Sequence, residues 1–175
     1  MKRGVANVIR SIGNRNGWSD DMDDARYMTE ALEEAKRAGR KGEVPIGAVV
    51  VDEEGNVIGR GHNLRETRQM STAHAEMVAI EEACKTLKTW RLDGCVLYVT
   101  LEPCPMCAGT IIQSRVKRVV YAADDPKNGA HVSKIDVFAA EFTHRVDVVS
   151  GVLAQEASKL LREFFHTLRN GRNDV

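Results

Sequence analysis

Residues 101–107, Leu101-Glu102-Pro103-Cys104-Pro105-Met106-Cys107, constrain the fold more than any other stretch. The run before them, residues 96–100, is β-branched and aromatic, follows Asp93-Gly94, and is predicted as a strand. Glu102 precedes a proline, which biases it to extended backbone and ends the strand there. Pro105 suits a first helical position, where its missing N–H costs nothing, and a helix is predicted on to Ser114. Cys104 then falls near the N-cap and Cys107 one turn in. Residues three apart on a helix are neighbours, so both sulfurs face one point. The positive end of the helix dipole lies beside them and favours thiolate. A metal, a redox disulfide and two packed thiols all satisfy such a pair, and the CxxC alone does not separate them.

Residues 72–76, Thr72-Ala73-His74-Ala75-Glu76, separate them. They open a second predicted helix, starting at Thr72 or Ala73, and His74 supplies a third ligand. Cys84 lies roughly 15 Å along that helix. Cys95 lies at the far end of the strand leading to Cys104, too distant at about 3.3 Å per residue. Three protein ligands with no reachable fourth describe a catalytic zinc, because structural sites are closed by four. The remaining position suits a water that the metal acidifies, with Glu76 as the proton-moving base. Residues two apart do not share a helix face, so His74 and Glu76 converge only if the metal sits off the helix end, near its axis. As an isolated feature, Glu76 also fits a capping acid in a first helical turn.

His74-Ala75-Glu76 with Pro103-Cys104-Pro105-Met106-Cys107 matches the H-x-E and P-C-x-x-C signature of zinc-dependent base deaminases. The wider chain resembles one branch of that cytidine/deoxycytidylate deaminase superfamily, the bacterial tRNA-specific adenosine deaminases. Glu43-Val44-Pro45-Ile46-Gly47-Ala48, His62-Asn63, Arg118-Val119-Val120-Tyr121, Asp125-Pro126-Lys127 and Phe164-Phe165 carry that likeness, which spans roughly residues 22–169. The resemblance implies a cytidine-deaminase-like fold and one Zn2+ per subunit. It implies hydrolytic conversion of adenosine to inosine at the wobble position of a tRNA anticodon stem-loop. It implies that Asn63 contacts the target nucleoside, that Asp125 and Lys127 lie near the RNA, and that the protein is a homodimer whose partner chain helps line the RNA groove. Two other readings remain open: a superfamily deaminase acting on free guanine, cytosine or cytidine, and a non-catalytic zinc-binding module, which requires a fourth protein ligand and no Glu76.

One chain of 175 residues suffices for one domain with a substantial core. Its 25 acidic and 25 basic residues balance, so overall charge implies no nucleic-acid partner and any basic surface must be local. Arg145, Lys159, Arg162, Arg169 and Arg172 are the candidate phosphate contacts. Four cysteines without a secretory segment fit a reducing compartment, hence a cytoplasmic protein. No apolar stretch approaches membrane-spanning length.

Residues 1–21 contain Lys2, Arg3, Arg10 and Arg15 and no acid before Asp20, and are expected to form a loosely ordered extension. The deaminase-like domain is expected over residues 22–170, with a frayed end over 171–175. Within the domain, residues 23–38 show helical spacing, with Asp23 and Asp24 in the first turn. Residues 47–51 and 57–61 read as a hairpin, and residues 63–71 as a polar loop. In the helix opened by Thr72 or Ala73, Met77, Ile80 and Ala83 or Cys84 are expected to face inward. Residues 118–122 and 145–149 read as strands, and residues 123–142 as irregular. A last helix over residues 153–168 places Leu153, Ala157, Leu160, Leu161, Phe164 and Phe165 on its apolar side. Helix, hairpin, then alternating helix and strand predicts an α/β protein. With the resemblance it becomes a three-layer α/β/α sandwich: a five-stranded mixed sheet with both ligand-bearing helices on one face.

Overall fold

The computed structural model describes residues 20–171. Ten elements follow in chain order: α1 (Asp20–Arg40), β1 (Gly47–Val51), β2 (Val57–His62), α2 (Arg65–Arg68), α3 (Ala75–Leu87), β3 (Val96–Leu101), α4 (Pro105–Gln113), β4 (Arg118–Ala123), β5 (Asp147–Ser150) and α5 (Ala154–Gly171). The five strands form one mixed sheet in the order β2-β1-β3-β4-β5. β1 is antiparallel to β2 and β3, while β3, β4 and β5 run parallel. The β3-α4-β4 unit is the crossover that a parallel pair requires.

Side-chain alternation along the strands sorts the core into two halves, as a period of two demands. Ala48, Val50, Leu97, Val99, Val119 and Tyr121 pack with Ala75, Ala79 and Ile80 of α3 and Ile111 of α4. Val49, Val51, Tyr98, Val120 and Ala122 pack with Tyr27, Met28, Ala31 and Leu32 of α1 and Ala157 of α5. The result is the α/β/α sandwich expected, with α3 and α4 sharing one face. Tyr98 and Arg118 tie α1 to the sheet through buried Asp24, which accepts from the Tyr98 hydroxyl at 2.8 Å and from the Arg118 guanidinium at 2.6 Å. Asp24 therefore spends its charge on the sheet, not on the helix dipole, because α1 begins earlier than the apolar spacing indicated.

α3 lies unusually close to β2. A Cβ on Gly61 would stand 2.2 Å from the Ala75 carbonyl oxygen, and one on Gly59 would stand 2.2 Å from that of Ala79. Glycines on the strand and the small residues Ala75, Ala79 and Ala83 on the helix permit that approach.

Several sequence expectations are corrected. The expected loop after Asn63 contains the one-turn helix α2. α3 starts at Ala75, so Thr72 and Ala73 precede it, and Ala79 takes the buried place expected for Met77. β5 starts at Asp147, because residues 143–146 belong to the connection. Of the apolar side expected for the last helix, only Ala157 is fully buried; Leu160 and Leu161 are half-buried, and Phe165 is 42% exposed. α5 runs to Gly171, past the end at residue 168 expected for the last helix. Asp20 and Asp21 belong to α1; the rest of the expected extension, and residues 172–175, lie outside the described residues.

Candidate active site

The site forms at the carboxyl end of β3, where ligands bind in open α/β sheets. Leu101 ends that strand, and two residues later the chain turns into α4. Cys104 is the N-cap of α4 with extended backbone (φ −75°, ψ 169°), and Pro105 is its first residue. His74 is the N-cap of α3 with nearly the same backbone (φ −77°, ψ 156°). Neither side chain caps its own helix. Both are free to turn toward the space between the two helix ends. There His74 Nδ1 lies 3.7 Å from Cys104 Sγ and 3.5 Å from Cys107 Sγ. The off-axis arrangement that reconciles His74 with Glu76 thus arises because His74 precedes the helix instead of riding on its first turn.

Among the described residues, His74, Cys104 and Cys107 form a group that could hold a metal ion, their donor atoms all within 4.8 Å of one another. Tetrahedral Zn–N and Zn–S bonds of about 2.0 and 2.3 Å set nitrogen and sulfur about 3.5 Å apart, so the nitrogen–sulfur distances fit zinc. Cys84 and Cys95 stand outside the group and pack against the core, and burial pushes both thiols up, Cys95 to about 11. The Cys104 thiol is drawn down to about 4 by a hydrogen bond from Cys107, with His74 and the Cys107 amide assisting against burial. The same hydrogen bond, with burial, pushes Cys107 up. His74 is raised, first by its hydrogen bond with Cys104. A dication bound here would displace the protons that Cys107 and His74 hold, because metal ligands bind deprotonated.

Glu76, the second residue of α3, is 4% exposed. Burial pushes its carboxyl up to about 7 against a hydrogen bond from its own amide, and the nearby Cys104 thiolate adds to the rise. A carboxyl balanced near neutrality can both accept and return a proton.

These groups line a cleft of about 690 Å³, in the size range of small-ligand sites. Asn63, Asp125 and Lys127, expected near the substrate, all line it. Asn63 leaves β2 buried, its backbone N–H donating to the Ile46 carbonyl at 3.0 Å. The Asp125 carboxylate accepts from the Lys127 amide at 3.0 Å, which turns the loop and leaves Lys127 exposed. Leu161 and Phe165 of α5 close one wall. Arg145, Lys159, Arg162 and Arg169 do not line the cleft, and Lys159 faces Glu163 at 3.8 Å. Arg172 lies outside the described residues. Arg65, the first residue of α2, does line the cleft and was not singled out in the sequence.

Two buried glutamates also escaped sequence reasoning. Glu43 accepts from the amides of Thr67 at 2.6 Å and Glu66 at 3.3 Å, and Asn63 Nδ2 donates to it at 3.4 Å. Burial alone would raise its carboxyl; the Thr67 and Glu66 hydrogen bonds hold it below the ordinary value. It therefore fixes α2 against the cleft. Glu102 receives amides from the loop after β4, and these with the Ser133 hydroxyl outweigh its burial and hold it at about 2. Each stands in a quoted motif, but its partners are remote in sequence, and spacing carries no trace of them.

A three-ligand His/Cys/Cys centre beside a buried glutamate, at the end of a five-stranded mixed sheet, is the site of a base deaminase, and residues 22–169 match the MafB19-like deaminase family. The chain belongs to that family, in its branch of tRNA-specific adenosine deaminases. It is 57% identical to the tRNA-specific adenosine deaminase of Bacillus subtilis (strain 168), covering 83% of this chain and 91% of that protein. It is 49% identical to the enzyme of that name from Aquifex aeolicus, covering 82% and 95%. A structure solved in a study of A-to-I editing by tRNA:A34 deaminases at the wobble position superposes with a TM-score of 0.75 at 45% identity, over 78% of this chain and 99% of the other. A guanine deaminase from Nitrosomonas europaea shares the fold at a TM-score of 0.72 and 28% identity, over 80% and 83%.

Proposed function

We propose that this protein deaminates adenosine to inosine at the wobble position of a tRNA anticodon, using one zinc ion per subunit. The convergence of His74, Cys104 and Cys107 beside buried Glu76 in an open cleft carries the reading. His74 Nδ1 and the two sulfurs would hold the metal, which supplies Lewis-acid activation of the attacking water. Glu76 takes the proton of that water on its carboxylate, delivers it to the purine N1, and assists departure of the amine as ammonia. Adenosine and water become inosine and ammonia. Asn63, at the base of the cleft, orients the target nucleoside, and Asp125 and Lys127 meet the RNA beside it. The target base must leave its stack, which is least costly in a single-stranded loop.

The cleft favours RNA over a free base, because a site for a free base encloses its whole substrate. Here the walls are a surface loop with exposed Lys127 and a helix with exposed Phe165. The homodimer belongs to the same reading, and exposed apolar side chains at Val132, Ile135, Phe142 and Leu168 offer surface for it. A cytoplasmic location agrees with the unpaired cysteines. None of the described helices is long and apolar enough to cross a membrane.

The test is inosine formation on an anticodon stem-loop, against free adenosine, cytidine and guanine at matched concentration. The stem-loop is expected to be converted efficiently and the small substrates hardly at all. Faster turnover of guanine or cytidine would overturn the substrate while leaving the hydrolytic chemistry intact.

A further inference from the structure

We propose that Glu102 is a positioning residue, whose carboxylate holds the loop of residues 124–133 over the cleft and so sets where Asp125 and Lys127 meet the RNA. The inference rests on the RNA-deaminase reading above. That loop leaves the carboxyl end of β4 and has no helix or strand of its own, so its backbone N–H groups need partners elsewhere. One side chain accepts from four of them. Glu102 Oε1 accepts from the amides of His131 at 2.9 Å, Val132 at 2.9 Å and Ser133 at 3.1 Å. Glu102 Oε2 accepts from the amide of Asp125 at 2.9 Å and from the Ser133 hydroxyl. Three successive amides around one oxygen form a concave anion site built from backbone.

The clamp joins the loop to the ligand turn. The Ala130 amide donates to the Pro103 carbonyl at 2.9 Å, and the Glu102 amide donates to the Ala123 carbonyl at 2.8 Å. Gly129 is part of the fit, since a Cβ there would lie 2.2 to 2.5 Å from the Glu102 carboxyl atoms. The carboxylate binds both ends of the loop, at Asp125 and at residues 131–133. The stretch between them carries exposed Lys127 and Asn128, which line the cleft. Loss of the clamp therefore frees the RNA-facing stretch.

Glu102→Gln keeps the shape but turns an amide NH2 toward converging donors, and Gly129→Ala displaces the carboxylate without changing it. In steady-state kinetics on an anticodon stem-loop, both variants are expected to raise KM about tenfold with kcat within about threefold of wild type. Metal per chain should stay at the wild-type level, and trypsin should cut faster after Lys127 and Lys134. Asp24→Asn, on the opposite side of the sheet, is the control: it should lower stability and leave KM unchanged. An unchanged KM with a reduced kcat, loss of metal from both variants, or wild-type cleavage rates would overturn the positioning role. If Glu102→Gln does not fold, Gly129→Ala decides alone. Failure of the wild-type protein to act on the stem-loop would overturn the underlying reading, and that result is read without any variant.

Discussion

Two buried glutamates near Cys104 ionise in opposite directions. Glu76 and Glu102 are 4% and 2% exposed, so burial penalises the charge of both. Burial raises Glu76 to about 7 against a hydrogen bond from its own amide, and the Cys104 thiolate adds to the rise. Glu102 is held at about 2 because the Ser133 hydroxyl and several loop amides donate to it. Burial that donors leave unanswered keeps a carboxyl near neutrality, whereas burial answered by several donors keeps it ionised. Glu76→Gln should therefore cut turnover by roughly two to four orders of magnitude while metal content and fold persist. Turnover assays paired with metal analysis check this. Wild-type turnover in the variant would reduce Glu76 to a helix-end acid, and lost metal would make it a ligand.

At the level of elements, the placement of His74 and Glu76 depends on how closely α3 approaches β2. Gly61 meets the Ala75 carbonyl and the Ala79 amide, and Gly47 makes an equally close approach to the Ala31 carbonyl of α1 on the other face. Gly61→Ala and Gly47→Ala should each lower unfolding stability by about 1–3 kcal/mol, since extra methyls in a packed interior force the backbone apart. Only Gly61→Ala should also reduce kcat/KM, because only α3 carries site residues at its start. Urea unfolding and kinetics on the same two variants separate the effects. Equal activity losses would mean that helix placement is irrelevant to the site.

For the whole molecule, acids and bases balance, so the proposed RNA binding would rely on local groups, and Arg65 and Lys127 line the cleft. Apolar side chains on α5 and on the loop between β4 and β5 are exposed, and the proposed homodimer would use them. Light scattering at micromolar concentration should give twice the 19.4 kDa chain mass. A monomer fully active on the stem-loop would count against the partner chain's part in the RNA groove.

The grouping of His74 with Cys104 and Cys107 and the five strands of the sheet were legible in the chain, because each follows from local rules. Pro105 starts a helix, two positions bring Cys104 and Cys107 together, and period-two runs make strands. Thr72 and Ala73 are compatible with a helix start, but the extended backbone of His74 puts the first residue of α3 at Ala75. The apolar period of α5 showed which side is apolar but not what covers it, and Phe165, expected on that side, lies in the cleft wall. Tertiary structure alone decided the distances of 3.7 and 3.5 Å at which His74 meets Cys104 and Cys107, and that Glu102 gathers amides 23 to 31 residues distant. Hydrogen bonds and burial of that kind depend on which elements pack together, and sequence spacing encodes only what one element does within itself.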